Sequence, residues 1–108
     1  MTVELRSPGK TTVSHNVLLD VARLTALQVD GVHSMGHGPA KAADGILKNI
    51  EGELVHPDIY LILNGEVNLR QVARGVQSHL SRAISEMIGL QPGHIDVHVE
   101  DIYFPLVA

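Results

Sequence analysis

Two stretches of the chain carry apolar residues at three- and four-residue spacing, the period of an amphipathic α-helix. The first begins after Ser14, whose hydroxyl can cap a helix, and it ends before Asp30-Gly31. Glycine there provides the left-handed conformation that helix C-termini often need. The apolar positions are predicted to form one wide stripe facing the core: Val17, Leu18, Val21, Ala22, Leu24 and Leu27.

The second helix is predicted over residues 69–88. Asn68 stands at the N-cap, and Gln71 stands at the capping-box position three residues later. Gly89 ends the helix, and Pro92-Gly93 prevents it from resuming, because proline cannot continue a helix. This is the most strongly marked element of the chain.

Five strand-forming segments are predicted, at 11–13, 32–35, 46–54, 58–63 and from Ile95 onward. A break is placed at His56-Pro57, because proline has no N–H to donate to a β-ladder. Ile95, Val97 and Val99 alternate with polar residues, and the slip at Asp101-Ile102 predicts a bulge. The order of elements predicts an α+β fold. It is a two-layer sandwich, with two amphipathic helices on one face of a mixed four- to five-stranded sheet.

The segment 59–63 is apolar at every position, so both faces of its strand are apolar. Two layers leave the second face of the sheet uncovered. Tyr60 and Ile62 then either lie in a central strand flanked by long polar neighbours, or on a surface that another copy covers. We favour the second interpretation, which makes Tyr60 and Ile62 the predicted interface of a homo-oligomer.

Composition narrows the classes of function. A chain of 108 residues predicts a single domain, 1–108. The absence of cysteine excludes disulfides, thiolate metal sites and thiol nucleophiles. The net charge of −4 argues against a whole-protein binder of nucleic acid or anionic membrane. No signal peptide and no membrane-spanning stretch is expected, so the predicted location is the cytoplasm, without direct membrane insertion.

Two side-chain patterns offer alternative functions. His94, Asp96 and His98 are spaced by two, so a regular strand would place these metal-competent ligands on one face. Arg70, Arg74 and Arg82 lie along the second helix and could bind an anion or a nucleic acid. Ordinary solvated faces are the favoured explanation of both patterns. No phosphate loop, nucleophile elbow or dinucleotide motif is present, so we expect neither an enzyme nor a cofactor.

The chain resembles the alkaline shock protein family of Gram-positive bacteria, the Asp/Gls group of envelope stress response proteins. The resemblance covers about 9–104, the expected domain core. It is carried by these residues in order: Gly9, Val13-Ser14, Val17, Asp30-Gly31-Val32, Met35, Gly45-Ile46, the strand 58–63, Asn64-Gly65, Asn68-Leu69, Val72, 87–90, Val97, Val99, Asp101-Ile102 and Phe104.

The resemblance implies a small cytoplasmic α+β domain without catalytic residues. Family members are linked to alkaline and cell-envelope stress, and some self-assemble and are held near the membrane by a separate membrane protein. We therefore expect a non-enzymatic, self-associating stress-response protein with a membrane-anchored protein partner and no nucleic-acid partner.

Overall fold

The computed structural model describes residues 13–40, 42, 45–52 and 54–105. Its central element is the 11-residue strand β3 (Leu54–Asn64), with which the other four strands of the described chain pair. β1 (Val32–Met35) and β2 (Ile46–Glu51) pair with it in antiparallel orientation. β4 (Gln91–Pro92) and β5 (Asp96–Tyr103) pair with it in parallel orientation. The predicted mixed sheet is confirmed.

The four flanking strands occupy the two edges of β3 end to end. Gly36, directly after β1, donates its N–H to the Tyr60 carbonyl, and the Tyr60 N–H donates to the carbonyl of Gly45, directly before β2. The backbone N–H and C=O of one residue point to the same edge of a strand, so β1 and β2 lie along the same edge of β3. The Gly93 N–H donates to the carbonyl of Val55. The backbone N–H and C=O of Val55 face the opposite edge of β3, where β4 and β5 lie.

The helical layer covers one face of this sheet. It consists of α1 (His15–Leu27) and α2 (Leu69–Arg82), and α2 continues into a π-helical segment (Ala83–Ile88). Side chains of β3 alternate between buried and half-buried positions along its whole length. The helices and the buried face of the sheet supply the core, which includes Ala22, Ala26, Val55, Ile59, Leu61, Leu63, Val72, Val76, Leu80 and Ile84. The predicted two-layer α+β sandwich is confirmed.

Local signals at the helix ends mostly act as predicted. The Ser14 hydroxyl accepts from the Val17 N–H at 3.4 Å, and Asn68 Oδ1 accepts from the Gln71 N–H at 3.1 Å. Gly89 ends the helical run with a left-handed φ of 78°. Gly31 is different: α1 already ends at Leu27, and Gly31, with φ of 100°, lies in the turn into β1.

The predicted break at His56-Pro57 is wrong, because β3 runs through both residues. By alternation, the backbone of Pro57 faces the same edge as that of Val55. At that edge β4 ends opposite Val55 and β5 begins opposite Asp58. The missing N–H of Pro57 therefore faces a gap in the ladder, where no hydrogen bond is lost. The predicted strand segment at 11–12 lies outside the described residues.

The predicted bulge in the last strand is present, one residue earlier than expected. Leu61 pairs with Val99 and the next residue, Ile62, pairs with Asp101, so Glu100 is the extra residue. The single apolar stripe predicted for α1 is wrong in part. Leu18 and Ala22 are buried, but Val17, Leu24 and Leu27 are exposed.

Candidate functional site

The face of the sheet turned away from the helices is the main candidate surface, and we call it the open face. It consists of the half-buried side chains of β3 and their neighbours on β5. Asp96 pairs with Asp58, His98 with Tyr60, and Tyr103 with Asn64, which places these side chains on the same face. The predicted position of Tyr60 and Ile62, opposite the core, agrees with this arrangement.

Three stacked ring pairs form on this side of the molecule, and each contains a histidine. The ring centroids of His33 and Tyr103 are 3.9 Å apart with an interplanar angle of 7°. Those of Tyr60 and His98 are 4.5 Å apart at 13°, and those of His56 and His94 are 5.5 Å apart at 24°. The rings cover much of the apolar surface of one another, so the open face is partly covered by its own side chains.

Two of these histidines, His56 and His98, each have a hydrogen-bond partner for one ring nitrogen. His98 Nε2 lies 2.9 Å from Asp58 Oδ1, and His56 Nδ1 accepts from the backbone N–H of His94 at 3.0 Å. A shallow polar depression of about 340 Å³ lies beside them, lined by Asn49, Glu51, His56, Asp58, His94 and Asp96.

The predicted metal ligands are not brought together into a ligand set. Asp96 and His98 lie on β5, whereas His94 precedes the strand and stacks on His56. Within the described ranges of the chain, no group of three or more His, Asp or Glu side chains could hold a metal ion.

Glu100, the extra residue of the bulge, fixes the loop after β1. Its carboxylate accepts from the backbone N–H of His37 at 2.9 Å and of Gly38 at 2.6 Å. These two hydrogen bonds hold the pKa of the Glu100 carboxyl below its ordinary value of 4.5. A Cβ at Gly38 would lie 2.7 Å from Tyr60 Cδ1, so the loop rests on the tyrosine ring. Tyr60 is therefore enclosed between His98 and this loop.

Ile62 is half-buried between its backbone partners Ser34 on β1 and Asp101 on β5. Unlike Tyr60, it has no ring stacked on it among the described pairs. The interface role of Tyr60 and Ile62 stays a prediction.

The basic residues of the second helix are all exposed. Arg82 Nη2 lies 3.7 Å from Glu86 Oε2, a solvent-exposed pair one helical turn apart. Such pairs contribute little energy, so Arg82 remains accessible to other anions. Anion binding by Arg70, Arg74 and Arg82 stays a prediction.

The helical layer carries a second candidate surface that the sequence reasoning missed. Val17, Leu24 and Leu27 of α1 are 46%, 53% and 39% exposed, and Met87 of the π-helical segment is 71% exposed. The signal was present in the sequence. The apolar positions of the first helix extend around more of its circumference than contact with one layer requires.

The fold and these surfaces define a class: a two-layer α+β domain whose described polar and charged side chains all reach solvent. Within the described part of the chain, no helix has the length and apolar character needed to cross a membrane. The chain belongs to the alkaline shock protein 23 family, which has a cell envelope-related function and whose model matches residues 4–104. The family resemblance inferred from the sequence is confirmed.

Two curated relatives come from Bacillus subtilis (strain 168). The uncharacterized protein YloU is 25% identical over 116 residues, covering 94% of this chain and 96% of YloU. The uncharacterized protein YqhY is 24% identical over 110 residues, covering 93% of this chain and 82% of YqhY. The chain therefore matches these relatives over most of their length.

Among solved structures the chain is similar to the MamM CTD. Its 215–293 fragment has a TM-score of 0.56 at 16% identity, covering 82% of this chain and 99% of that one. A zinc form has a TM-score of 0.56 at 15% identity, covering 82% and 87%. At this identity the likeness shows the fold alone.

Proposed function

We propose that the protein is a non-enzymatic, self-associating component of the envelope and alkaline stress response that acts through protein–protein contacts. The observation that carries the proposal is the distribution of apolar surface. Nine large apolar side chains of the described residues are exposed, whereas no polar or charged side chain is buried. Exposed apolar clusters indicate contact surfaces, and catalytic groups are usually found where burial and neighbouring charges perturb them.

The two described side chains whose pKa values are shifted, Glu100 and Lys48, lie in surroundings that agree with a non-enzymatic role. The pKa of Glu100 is lowered, but its carboxylate is engaged by two backbone N–H groups of its own chain. Burial lowers the pKa of the Lys48 ammonium on β2. Lys48 pairs across the strands with Pro57, which offers it no proton acceptor or donor side chain. Glu100 lies near His37 but is engaged by backbone N–H groups, and no hydrogen bond or ion pair of the described residues joins Lys48 to another titratable side chain.

The family's cell envelope-related function supports a place of action beside the membrane. We propose a cytoplasmic protein that reaches the envelope through a membrane-anchored protein partner. Binding of this kind needs accessible surface and no catalytic chemistry, which agrees with the apolar and aromatic groups on both layers.

Light scattering coupled to size-exclusion chromatography tests self-association, over concentrations from about 1 μM to about 1 mM. We expect the apparent mass to rise above that of the 11.7 kDa chain as concentration increases. A mass that stays at the monomer value throughout this range contradicts the proposal.

A second experiment tests the stress role in the source organism. Deletion of the gene is expected to slow growth at alkaline pH, and expression of the wild-type chain is expected to restore it. Unchanged growth of the deletion strain under alkaline and cell-wall stress would argue against this part of the proposal.

A further inference from the structure

We propose that the open face binds an extended segment of another protein that is rich in arginine. The inference rests on the proposed function, because it names the chemistry of the partner in those protein–protein contacts. It is carried by the distribution of the described charges, the pairing of β3 with β5 and the rings of the open face.

The described basic side chains all lie on the helix side of the molecule. Lys48 is opposite the buried Pro57, so its side chain is on the face of the sheet that the helices cover. The other described lysines and arginines are on the helices: Arg23, Arg70, Arg74 and Arg82. The open face therefore carries no lysine or arginine among the residues that the structure describes.

The open face carries four carboxylates besides the Glu100 group that the loop engages. Glu51, Asp58 and Asp96 line the polar depression of about 340 Å³, and Asp101 lies opposite Ile62 further along β5. Within the described part of the chain, Asp58 alone of these four forms an ion pair, with the imidazole of His98 at 2.9 Å.

The acids of the helices are arranged differently. Asp20 Oδ1 lies 3.2 Å from Arg23 Nη2, and Glu86 Oε2 lies 3.7 Å from Arg82 Nη2. Each described acid of the helices is thus beside an arginine of its own chain. The sheet, unlike the helices, presents negative charge without a described lysine or arginine beside it, and this charge is complementary to a cationic segment.

β3 and β5 also place two like charges side by side. Asp58 and Asp96 are paired in register on neighbouring strands, whose backbones lie about 4.8 Å apart. Like charges directly opposite each other destabilise a sheet, and His98 engages only the first of the two. A guanidinium has five N–H donors in a planar fork, so one arginine can bridge both carboxylates and remove this repulsion.

The shape and the rings of the open face suit an extended chain that carries arginine. β3 has 11 residues and is about 36 Å long, whereas three strands span about 10 Å in width. A long and narrow strip of this kind accommodates one extended segment. The rings of Tyr60 and His98 are stacked next to Asp58, so a guanidinium that pairs with this carboxylate can also contact an aromatic face.

The same charges disfavour other occupants of this face. Nucleic acid and an anionic bilayer would bring phosphate groups against the four carboxylates. A second copy that presented its own open face would oppose carboxylates with carboxylates. A cationic segment meets neither penalty.

Fluorescence anisotropy with a labelled peptide tests the inference. The probe has about ten residues, the length of β3, and arginine alternates with threonine so that all arginines share one face. The same peptide with glutamine in place of arginine is the control. We expect the full chain to bind the arginine peptide at least about tenfold more tightly than the glutamine peptide. This binding is expected to weaken as salt rises from about 0.05 M to about 0.3 M.

Two charge-matched double variants locate the binding surface. Glu51→Gln/Asp96→Asn removes two open-face carboxylates that form no described ion pair. Asp20→Asn/Glu86→Gln removes two exposed carboxylates from the helices and changes the net charge by the same amount. We expect the first variant to bind the arginine peptide at least about fivefold more weakly than the wild type, and the second to stay within about twofold. Circular dichroism checks that both are folded.

Amide chemical shifts provide a readout that does not depend on a loss of affinity. Titration of the isotope-labelled wild type with the arginine peptide is expected to shift amide signals of β3 and β5 and to leave those of α1 unchanged. Shifts confined to the helices would overturn the inference.

The outcomes separate this inference from the proposed function. Equal binding of the two peptides, or equal effects of the two double variants, contradicts the inference. A chain that self-associates without binding the arginine peptide contradicts the inference and leaves the proposed function standing. A chain that binds the peptide at the open face but stays monomeric supports the inference and contradicts the proposed self-association. If Glu51→Gln/Asp96→Asn abolishes self-association while the wild type binds no peptide, the open face contacts another copy and the inference is wrong.

Discussion

Leu61 and Ile62 are neighbours on β3 whose side chains point to opposite faces of the sheet. The two-layer fold therefore predicts that truncating them to alanine lowers the free energy of unfolding by very different amounts. Leu61 is 0% exposed beneath the helices, whereas Ile62 is half-buried on the open face. Each substitution to alanine removes three carbon atoms. The comparison therefore measures how completely each face is covered.

The magnitudes follow from burial. Three buried carbons at about 0.8 kcal/mol each give roughly 2.4 kcal/mol, and the cavity left beneath the helices raises the cost of Leu61→Ala to about 3–4 kcal/mol. Ile62→Ala opens its space to solvent and leaves no sealed cavity, so we expect about 1–1.5 kcal/mol. In thermal unfolding, the Leu61→Ala loss corresponds to a fall in Tm of about 10–15 °C.

Urea unfolding followed by circular dichroism measures both values, because the chain has no tryptophan to serve as a fluorescent probe. The measurement is made at about 1 μM, where a weak dimer is dissociated. Equal costs for the two variants at this concentration would refute the reasoning, since they would mean that the open face is also covered within one chain. A cost for Ile62→Ala that grows with concentration would instead indicate that a second copy covers this face.

Three further predictions concern single contacts. Asn68→Ala removes the side-chain cap of α2 and is expected to cost about 1 kcal/mol in urea unfolding, whereas no change would mean that water replaces the cap. Gly89→Val is expected to cost about 1–2 kcal/mol, because its φ of 78° is unfavourable for a β-branched residue and no atom crowds the site; a neutral result would mean that the helix end rearranges. The pKa of the Glu100 carboxyl is lowered in the folded protein, so its hydrogen bonds stabilise the fold fully at a pH above the ordinary pKa of 4.5. This stabilisation is lost as the pH falls through the lower pKa of the folded state. Glu100→Gln should therefore lower the urea midpoint at pH 7, and the difference from the wild type should shrink in acid; a difference independent of pH would exclude this origin.

Elements whose signals are local could be predicted from the sequence. The cap at Asn68 and the end at Gly89 depend on conformations within a few residues of each helix terminus, so nearby sequence is sufficient. The bulge near Asp101 also followed from a local slip in alternation. The open face of β3 was deduced in another way: the segment 59–63 is apolar on both faces, and a fold of two layers covers only one of them.

Features that depend on distant partners could not be predicted. Whether proline interrupts a strand depends on what lies beside its missing N–H, and the gap opposite Pro57 is created by residues more than thirty positions away. The stack of His33 on Tyr103 joins opposite edges of the sheet, and the Glu100 carboxylate reaches a loop 62 and 63 residues earlier in the chain. No spacing within a single segment indicates such pairs.

The sequence by itself determined the positions of the two helices and of strands β1 and β5, because hydrophobic period and capping act over a few residues. Only the tertiary structure decided which apolar row of α1 would be buried, since Leu18 and Val17 are both aliphatic but are 7% and 46% exposed. It also decided that the histidines of the open face would stack in pairs and not converge on one point. Burial and pairing are properties of neighbours in space, and in this chain those neighbours come from distant parts of the sequence.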